Sequence, residues 1–192
     1  MADARSELLA EVAFIGRLYG TLLSSSPDEP LCAKMIEFLG DGGEAPTGGF
    51  PGPPRNLRQE YQRLFIGPER LHAPPWGSVY LDKDQVVFGS STIELRAWLR
   101  QHGIAVHDGK KEPEDQIGKM LLLMAWLAEE QSELLGEFLS EHLMPWAPRY
   151  LDLLAEDARL PLYYQSAQQL RQFLGETMAD LGIKPTKKRL YR

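Results

Sequence analysis

Cysteine is almost absent from this chain of 192 residues, which contains a single one, Cys32. One cysteine cannot form an internal disulfide or build a cysteine-rich metal site. It also fits a reducing compartment, so we expect a cytoplasmic protein. The four histidines show no spacing typical of metal ligands: His72, His102, His107 and His142. The sequence therefore predicts neither a bound metal nor another cofactor.

The sequence motifs of common enzyme classes are missing as well. The chain has no G-x-S-x-G elbow, no Walker-type glycine loop and no H-E-x-x-H pair. Acidic residues do cluster in "EPED", which contains Glu112, Glu114 and Asp115. Acid–base catalysis would require one of these carboxyls to be buried with a raised pKa. A helix start explains Glu112 and Glu114 more simply, and we expect no enzymatic activity.

The chain also lacks an excess of basic charge and a long apolar run. It has 21 basic and 27 acidic residues, a net charge of -6, which argues against a nucleic-acid binder. Its first segment carries Asp3, Glu7 and Glu11 where a secretory leader would be basic. We therefore expect that segment to be an ordinary first helix, and we expect no membrane-spanning segment.

The apolar residues of the chain, 43% of the total, recur mainly at helical spacing. A stripe in the first segment consists of Leu8, Val12, Ile15, Tyr19 and Leu22, and one in the last consists of Ala167, Leu170, Leu174, Met178 and Leu181. The run "MLLLMAWLA" is apolar on nearly every face and predicts a central, buried helix. The predicted fold class is all-α, one globular domain of about seven to ten helices rather than a simple four-helix bundle.

Composition divides this predicted domain at two places. Residues 40–54 are rich in glycine and proline and predict a flexible loop, which would permit either a monomer or a domain-swapped dimer. We assign residues 1–183 to the helical domain and 184–192 to a basic tail without acidic residues. Such a tail is typically solvated or loosely docked, and contact with a phosphate or an acidic partner is the alternative.

Several local signals predict where elements begin and end. "SVYLDKDQVVFG" allows a β-hairpin, because apolar residues flank "DKD". Ser91 and Glu94 fit a capping box, and the same helix is expected to end at Gly103, with Ile104 in the apolar position of a Schellman cap. Pro113 is expected at the first position of the next helix.

The segment "APPWGSVY" is unusual for a loop because it is strongly apolar. Trp76 and Tyr80 could plug the loop onto the helical core, which is the common role of loop aromatics. Alternatively, Pro74 and Pro75 stiffen the chain while the aromatics line a recognition groove at little cost in ordering entropy. Composition leaves both interpretations open.

Three stretches of the chain stand out together: "YQRLFIGPERLHAPPWGSVYLD", "FGSSTIELRAWLRQHGI" and "EPEDQIGKMLLLMAWLAE". In this order they resemble the TorD/DmsD family of redox-enzyme maturation chaperones, and most closely its DmsD branch. The resemblance implies a cytoplasmic helical protein that binds the twin-arginine signal peptide and catalytic subunit of a molybdopterin-containing oxidoreductase of the DMSO/TMAO reductase type. It would hold that client for cofactor insertion before export, with possible contact to the Tat translocase.

The resemblance also implies which residues bind the leader. The matching positions are Tyr61, Leu64, Phe65, Pro75, Trp76, Tyr80, Gly89, Pro113, Asp115 and Gln116, with Arg17 as a weaker match. A twin-arginine leader offers two arginines followed by an apolar stretch, so its receptor needs acids beside an apolar groove. We expect Asp115 to contact an arginine, because a carboxylate can accept two parallel hydrogen bonds from a guanidinium.

Two positions depart from the family pattern. Gln116 stands where the family commonly has histidine, which excludes a protonated role there but preserves hydrogen bonding. Glu69 replaces an aromatic residue and adds an acid suited to arginine. Two alternatives to leader binding are a guanine-nucleotide-binding or hydrolysing regulator of the same pathway, which the missing phosphate motif disfavours, and a non-catalytic helical interaction scaffold.

Overall fold

Nine α-helices make up most of the chain in a computed structural model that describes residues 2–40, 57–68, 70–105 and 112–192. They are α1 (Ala2–Ser24), α2 (Pro30–Gly40), α3 (Leu57–Tyr61), α4 (Gly77–Leu81), α5 (Ser90–Gln101), α6 (Ile117–Glu130), α7 (Ser132–Phe138), α8 (Ala147–Asp157) and α9 (Pro161–Asp180). Helices α3 and α7 each continue into a π-helical turn, at Gln62–Ile66 and Leu139–Leu143. The predicted all-α class is confirmed.

The core forms around α1 and α6, which pack closely along each other. Three glycines permit this approach: a Cβ on Gly16 would lie 2.7 Å from the carbonyl oxygen of Leu121, and one on Gly118 would lie 2.6 Å from that of Gly20. The predicted stripes of α1 and α9 are buried over most of their length. Helix α6 is the central helix that its composition predicts, although Leu122 and Trp126 lie partly exposed on one side.

The expected β-hairpin over 78–89 is wrong. Val79 and Tyr80 belong to α4, where both side chains are buried, and residues 82–89 form an irregular turn with positive φ at Gln85 and Phe88. Val86 and Phe88 remain about half exposed, so the second half of the segment does not pack onto the apolar core. A hairpin needs such a surface, because two isolated strands are marginally stable in water.

The predicted helix ends were partly right. Helix α5 ends as expected: Gly103 has φ 68°, and the Ile104 N–H donates to the Leu99 carbonyl at 2.9 Å. Its expected capping box at Ser91 is wrong, since the helix already includes Ser90, whose N–H donates to the Asp82 carboxylate at 3.0 Å. The Asp82 carboxylate, which the turn after α4 places next to Ser90, takes the place of a local cap.

The expected helix start at Pro113 is also wrong, because α6 begins at Ile117. Residues 113–115 form a turn, and Gln116 caps the helix by accepting the Lys119 N–H at 2.9 Å. The turn is held in place by contacts with the loop before α4, described below. Tertiary contacts therefore override the local signal of "EPED".

Some predictions concern residues that the structure does not describe. The proposed loop at 40–54 lies outside the described residues except for Gly40, and Glu69 and His107 lie outside them as well. Among the described helices, none combines the length and the apolar character needed to cross a membrane.

The basic tail, 184–192, has no regular secondary structure and lies against the helices. The Thr186 N–H donates to the Ser140 carbonyl at 3.0 Å, and the Lys188 amine lies 3.1 Å from the Glu94 carboxylate. At the far end, the Tyr191 N–H donates to the Tyr80 carbonyl at 2.9 Å. The tail thus runs from the turn after α7 to α4.

Candidate functional site

The two sequence segments singled out above, around Trp76 and around Asp115, meet in space. Trp76 and Gln116 form an antiparallel bridge. The Ile117 N–H donates to the Pro75 carbonyl at 2.8 Å, and the Gly77 N–H donates to the Asp115 carbonyl at 3.0 Å. The extended backbone on both sides makes this pairing possible, and the prolines before Trp76 favour that conformation. The starts of α4 and α6 are therefore fixed against each other.

Asp115 lies beneath this junction and is only 3% exposed. Its carboxylate accepts the Ser78 N–H at 2.7 Å and thereby binds one of the free backbone donors at the start of α4. Burial raises the pKa of Asp115, and the hydrogen bond from the Ser78 N–H opposes part of that rise. The carboxylate faces α4 rather than solvent, so the expected contact with an arginine stays a prediction that this arrangement does not itself provide.

Gln116 is equally buried, and both ends of its amide are engaged. The Oε1 atom accepts the Lys119 N–H, while Nε2 donates to the Leu23 carbonyl at 2.8 Å. The side chain thus joins the start of α6 to the end of α1. Both bonds need a neutral donor–acceptor group, which an amide supplies at any pH. Pro113, also buried, completes the turn, with its carbonyl accepting the Gln116 N–H at 3.3 Å.

Tyr80 and Gly89 stabilise the elements around the junction of α4 and α6. Tyr80 is fully buried and stacks on Trp146, with 5.4 Å between ring centroids. Gly89 lies so close to Asp82 that a Cβ would collide with its carboxylate, which is the group that receives Ser90 at the start of α5. The anchoring of α5 therefore depends on a small residue at position 89.

Trp76 opens onto a groove with a volume of about 470 Å³. Its apolar lining consists of Leu71, Pro74, Trp76, Val79 and Val87, and its polar lining consists of Arg70, Lys83, Asp84, Gln85 and Arg192. Val86 and Phe88, beside Val87, are each 48% exposed, so apolar surface continues from the groove onto the turn. Both interpretations of the Pro-Pro-Trp segment hold in part: Tyr80 plugs the core, whereas Trp76 lines a groove.

The remaining predicted positions lie elsewhere. Leu64 and Phe65 are buried in the core, where Phe65 contacts Tyr61 at 5.1 Å and Tyr163 of α9 at 5.3 Å between ring centroids. Arg17 forms an exposed ion pair with Glu129 on α1 and α6. None of these four predicted residues lines the groove beside Trp76. Their proposed role in leader binding remains a prediction.

Sequence reasoning missed three features of this region. Asp82 lies eight residues before Ser90, too far for a local capping motif to reveal it. Arg192 was included only as part of a charged tail, yet it lines the groove. Glu60, buried next to α8, accepts two hydrogen bonds from Arg63, a pair that spacing of three residues on a helix could have suggested.

The groove beside Trp76 offers contact surface for a ligand. Within the described ranges, no group of three or more His, Cys, Asp or Glu residues is placed to hold a metal ion. The groove combines an aromatic wall, an apolar rim and a few charged side chains, and the Leu71 and His72 carbonyls beside it accept hydrogen bonds from Arg192. Such a surface suits a peptide with apolar side chains, and its backbone carbonyls can accept hydrogen bonds from a guanidinium.

Comparison with known proteins gives concordant results. Residues 50–152 match the family model described as nitrate reductase delta subunit. The chain is 38% identical over 196 aligned residues to the Tat proofreading chaperone DmsD of Salmonella typhi, with 95% of this chain and 96% of the relative covered. It is 44% identical to a protein of Haemophilus influenzae named as a probable Tat proofreading chaperone DmsD, with 96% and 98% covered.

A solved structure shares the fold. The crystal structure of a redox enzyme maturation protein from Archaeoglobus fulgidus superimposes with a TM-score of 0.56 and covers 89% of this chain and 93% of its own. Sequence identity between the two is 19%, so this likeness concerns the architecture alone.

Proposed function

The chain belongs to the TorD/DmsD family of redox-enzyme maturation chaperones, in its DmsD branch, and we propose that it binds the twin-arginine signal peptide of a molybdopterin-containing oxidoreductase. The client would be the catalytic subunit of a DMSO/TMAO reductase type enzyme. Binding would hold that subunit in the cytoplasm until cofactor insertion is complete, next to the Tat translocase that later exports it. The proposal assigns binding and no catalysis.

The observation that carries the proposal is the continuous apolar surface from Trp76 to Phe88. A signal peptide presents arginines followed by an apolar stretch, and the surface offers an aromatic groove followed by three consecutive partly exposed apolar residues, Val86, Val87 and Phe88. Exposed apolar residues in a run cost solvation free energy, and binding a partner recovers it. We assign the apolar stretch of the leader to this turn and the arginines to the groove.

Asp115 and Gln116 act in this proposal as positioning residues. Asp115 fixes the start of α4 through Ser78, and Gln116 fixes α6 to α1. Together they hold Trp76 at the groove wall before the leader arrives. Preformed sites bind more tightly because less ordering entropy is lost on association. The relatives' names speak for a chaperone and give no support to the nucleotide-binding alternative.

A binding assay with matched aromatic variants tests this surface. A fluorescein-labelled twin-arginine leader should bind the wild type, and Phe88→Ala should weaken its affinity about tenfold, or about 1.4 kcal/mol, because the half-exposed ring would lose its contact with the leader. Trp126→Ala is the control, since Trp126 is 36% exposed but lies on α6 and does not line the groove.

The two variants separate the possible outcomes. A loss confined to Phe88→Ala supports the assigned surface. A loss confined to Trp126→Ala would move the leader to α6 and contradict the assignment. If the leader fails to bind the folded wild type at all, the proposed function itself is wrong.

A further inference from the structure

An arginine of the chain itself already occupies the groove beside Trp76. Arg192 donates from Nη2 to the Leu71 carbonyl at 2.7 Å and to the His72 carbonyl at 2.9 Å. It lines the groove together with Trp76 and Val87. Guanidinium groups bind carbonyl oxygens well, because their N–H donors are charged and fixed in a plane. The groove thus already holds a guanidinium, the group that a twin-arginine leader would bring to it.

The tail is held so that this contact forms. The Tyr191 N–H donates to the Tyr80 carbonyl at 2.9 Å, and Gln85 donates to the Tyr191 carbonyl at 2.7 Å. Tyr80 and Gln85 both belong to the segment that builds the groove. The end of the tail therefore lies over the proposed leader surface rather than beside it.

The tail carries the same kinds of side chains as a leader, although Arg192, the arginine in the groove, follows the apolar residues instead of preceding them. Lys188 and Arg189 form a basic pair, Leu190 and Tyr191 follow as apolar and aromatic residues, and Leu190 is partly exposed. A twin-arginine leader likewise places a basic pair before apolar residues. Two segments of similar chemistry would compete for one surface.

We propose that the Leu71 and His72 carbonyls, with Trp76 as the adjacent wall, form a subsite for one arginine of the leader, and that Arg192 occupies this subsite as an internal competitor. The inference rests on the proposed leader-binding function. Binding of the leader would displace Arg192 and release the end of the tail. The tail thereby lowers the affinity for a leader, which binds when its arginine displaces Arg192 from the subsite.

Charge does not prevent this exchange. Besides Arg192, the groove carries Arg70, Lys83 and Asp84, so an additional cation would enter against net positive charge. Replacing Arg192 by a leader arginine exchanges one guanidinium for another and leaves the charge of the groove unchanged. The positive charge of the groove favours competition between Arg192 and a leader arginine over binding of the two at once, since like charges at close range repel.

Removal of the competing side chain provides the test. In Arg192→Ala, affinity for a labelled twin-arginine leader should rise on the order of tenfold, because two charge-assisted hydrogen bonds no longer hold the tail in the groove. Lys187→Ala is the matched control: it removes the same charge from the same tail, but Lys187 is exposed and does not line the groove. Thermal unfolding of all three proteins checks that the fold is retained.

A second leader, with both arginines changed to lysine, tests the subsite itself. The gain in affinity should be found with the arginine leader and be absent with the lysine leader, because lysine retains the charge but lacks the planar donor pair. In a complementary assay, a synthetic peptide of residues 184–192 should displace the arginine leader from Arg192→Ala, and the same peptide with Arg192→Ala should not.

Each of the other results overturns a defined part of the inference. Equal affinity of wild type and Arg192→Ala for the arginine leader refutes the competition while the proposed function stands. Equal gains in Arg192→Ala and Lys187→Ala reveal a general charge effect, and equal gains with both leaders refute the arginine subsite. If neither leader binds any of the folded proteins, the proposed function fails and the competition with it.

Discussion

Replacement of Asp115 distinguishes a residue that positions the site from one that contacts the leader. In Asp115→Ala the buried Ser78 N–H loses its acceptor, at a cost of about 1–3 kcal/mol. For a domain of this size, about 2 kcal/mol lowers the melting temperature by roughly 4–8 °C. Asp115→Asn retains an acceptor oxygen for Ser78 and carries no buried charge, so we expect its stability to differ little from that of the wild type.

Leader affinity should follow stability in this series. Asp115→Ala should weaken binding, because the start of α4 and the wall formed by Trp76 are no longer fixed. Asp115→Asn should bind nearly as well as the wild type. Circular dichroism melting and anisotropy titration of the same three samples provide the measurement. If Asp115→Asn keeps its melting temperature but loses the leader as severely as Asp115→Ala, the carboxylate contacts an arginine directly and the positioning role is refuted.

The pH dependence of stability provides an independent check on Asp115. Burial raises its pKa, so between its ordinary value of 3.8 and the higher folded value the folded protein binds more protons at this site than the unfolded chain. Stability from this group is therefore lost as pH rises through that interval. The free energy of unfolding of the wild type, relative to Asp115→Asn, should decrease as pH is raised above 3.8. A constant difference would contradict the assigned burial.

Two further predictions concern the scaffold. Burial favours a higher pKa for Glu60, but hydrogen bonds from Arg63 and the Arg159 N–H outweigh it and lower the pKa below 4.5, so Glu60 stabilises the fold above that pH. Glu60→Gln should cost about 2 kcal/mol at pH 7, and the difference from wild type in urea denaturation should shrink as pH falls below 4.5. Gly118→Ala should lower the free energy of unfolding by about 1–3 kcal/mol, because the new methyl group presses on the Gly20 carbonyl. Gly175 faces open space in α9, so Gly175→Ala should raise that free energy by about 0.5–1 kcal/mol. Melting curves in the reverse order would contradict the packing of α1 on α6.

The helices with a long stripe of their own were predictable from sequence. The stripes of α1 and α9 and the Gly103 end of α5 are local patterns, so a window of ten to twenty residues contains the information. Helix α4 and the start of α6 were not predictable in this way. Their limits depend on two hydrogen bonds between segments that are distant in sequence, from the Ile117 N–H to the Pro75 carbonyl and from the Gly77 N–H to the Asp115 carbonyl.

The candidate site shows the same division. The resemblance selected Trp76 and Asp115, and the structure shows that their two segments meet, but it gives the two residues different environments, a groove wall and a buried support. The role of Arg192 could not be read from the sequence, because a basic tail is typical of solvated termini and only tertiary contacts bring its end to the groove.

The central claim is that this chain recognises the arginines of a twin-arginine leader, and calorimetric titration of the wild-type protein tests it most directly. A synthetic leader with both arginines should bind with a saturable heat signal, and the same leader with both arginines changed to glutamine should bind at least tenfold more weakly, since each lost guanidinium removes charge-assisted hydrogen bonds of about 1.5–3 kcal/mol. Equal affinity for the two peptides, or no binding of either by the folded protein, would contradict the account.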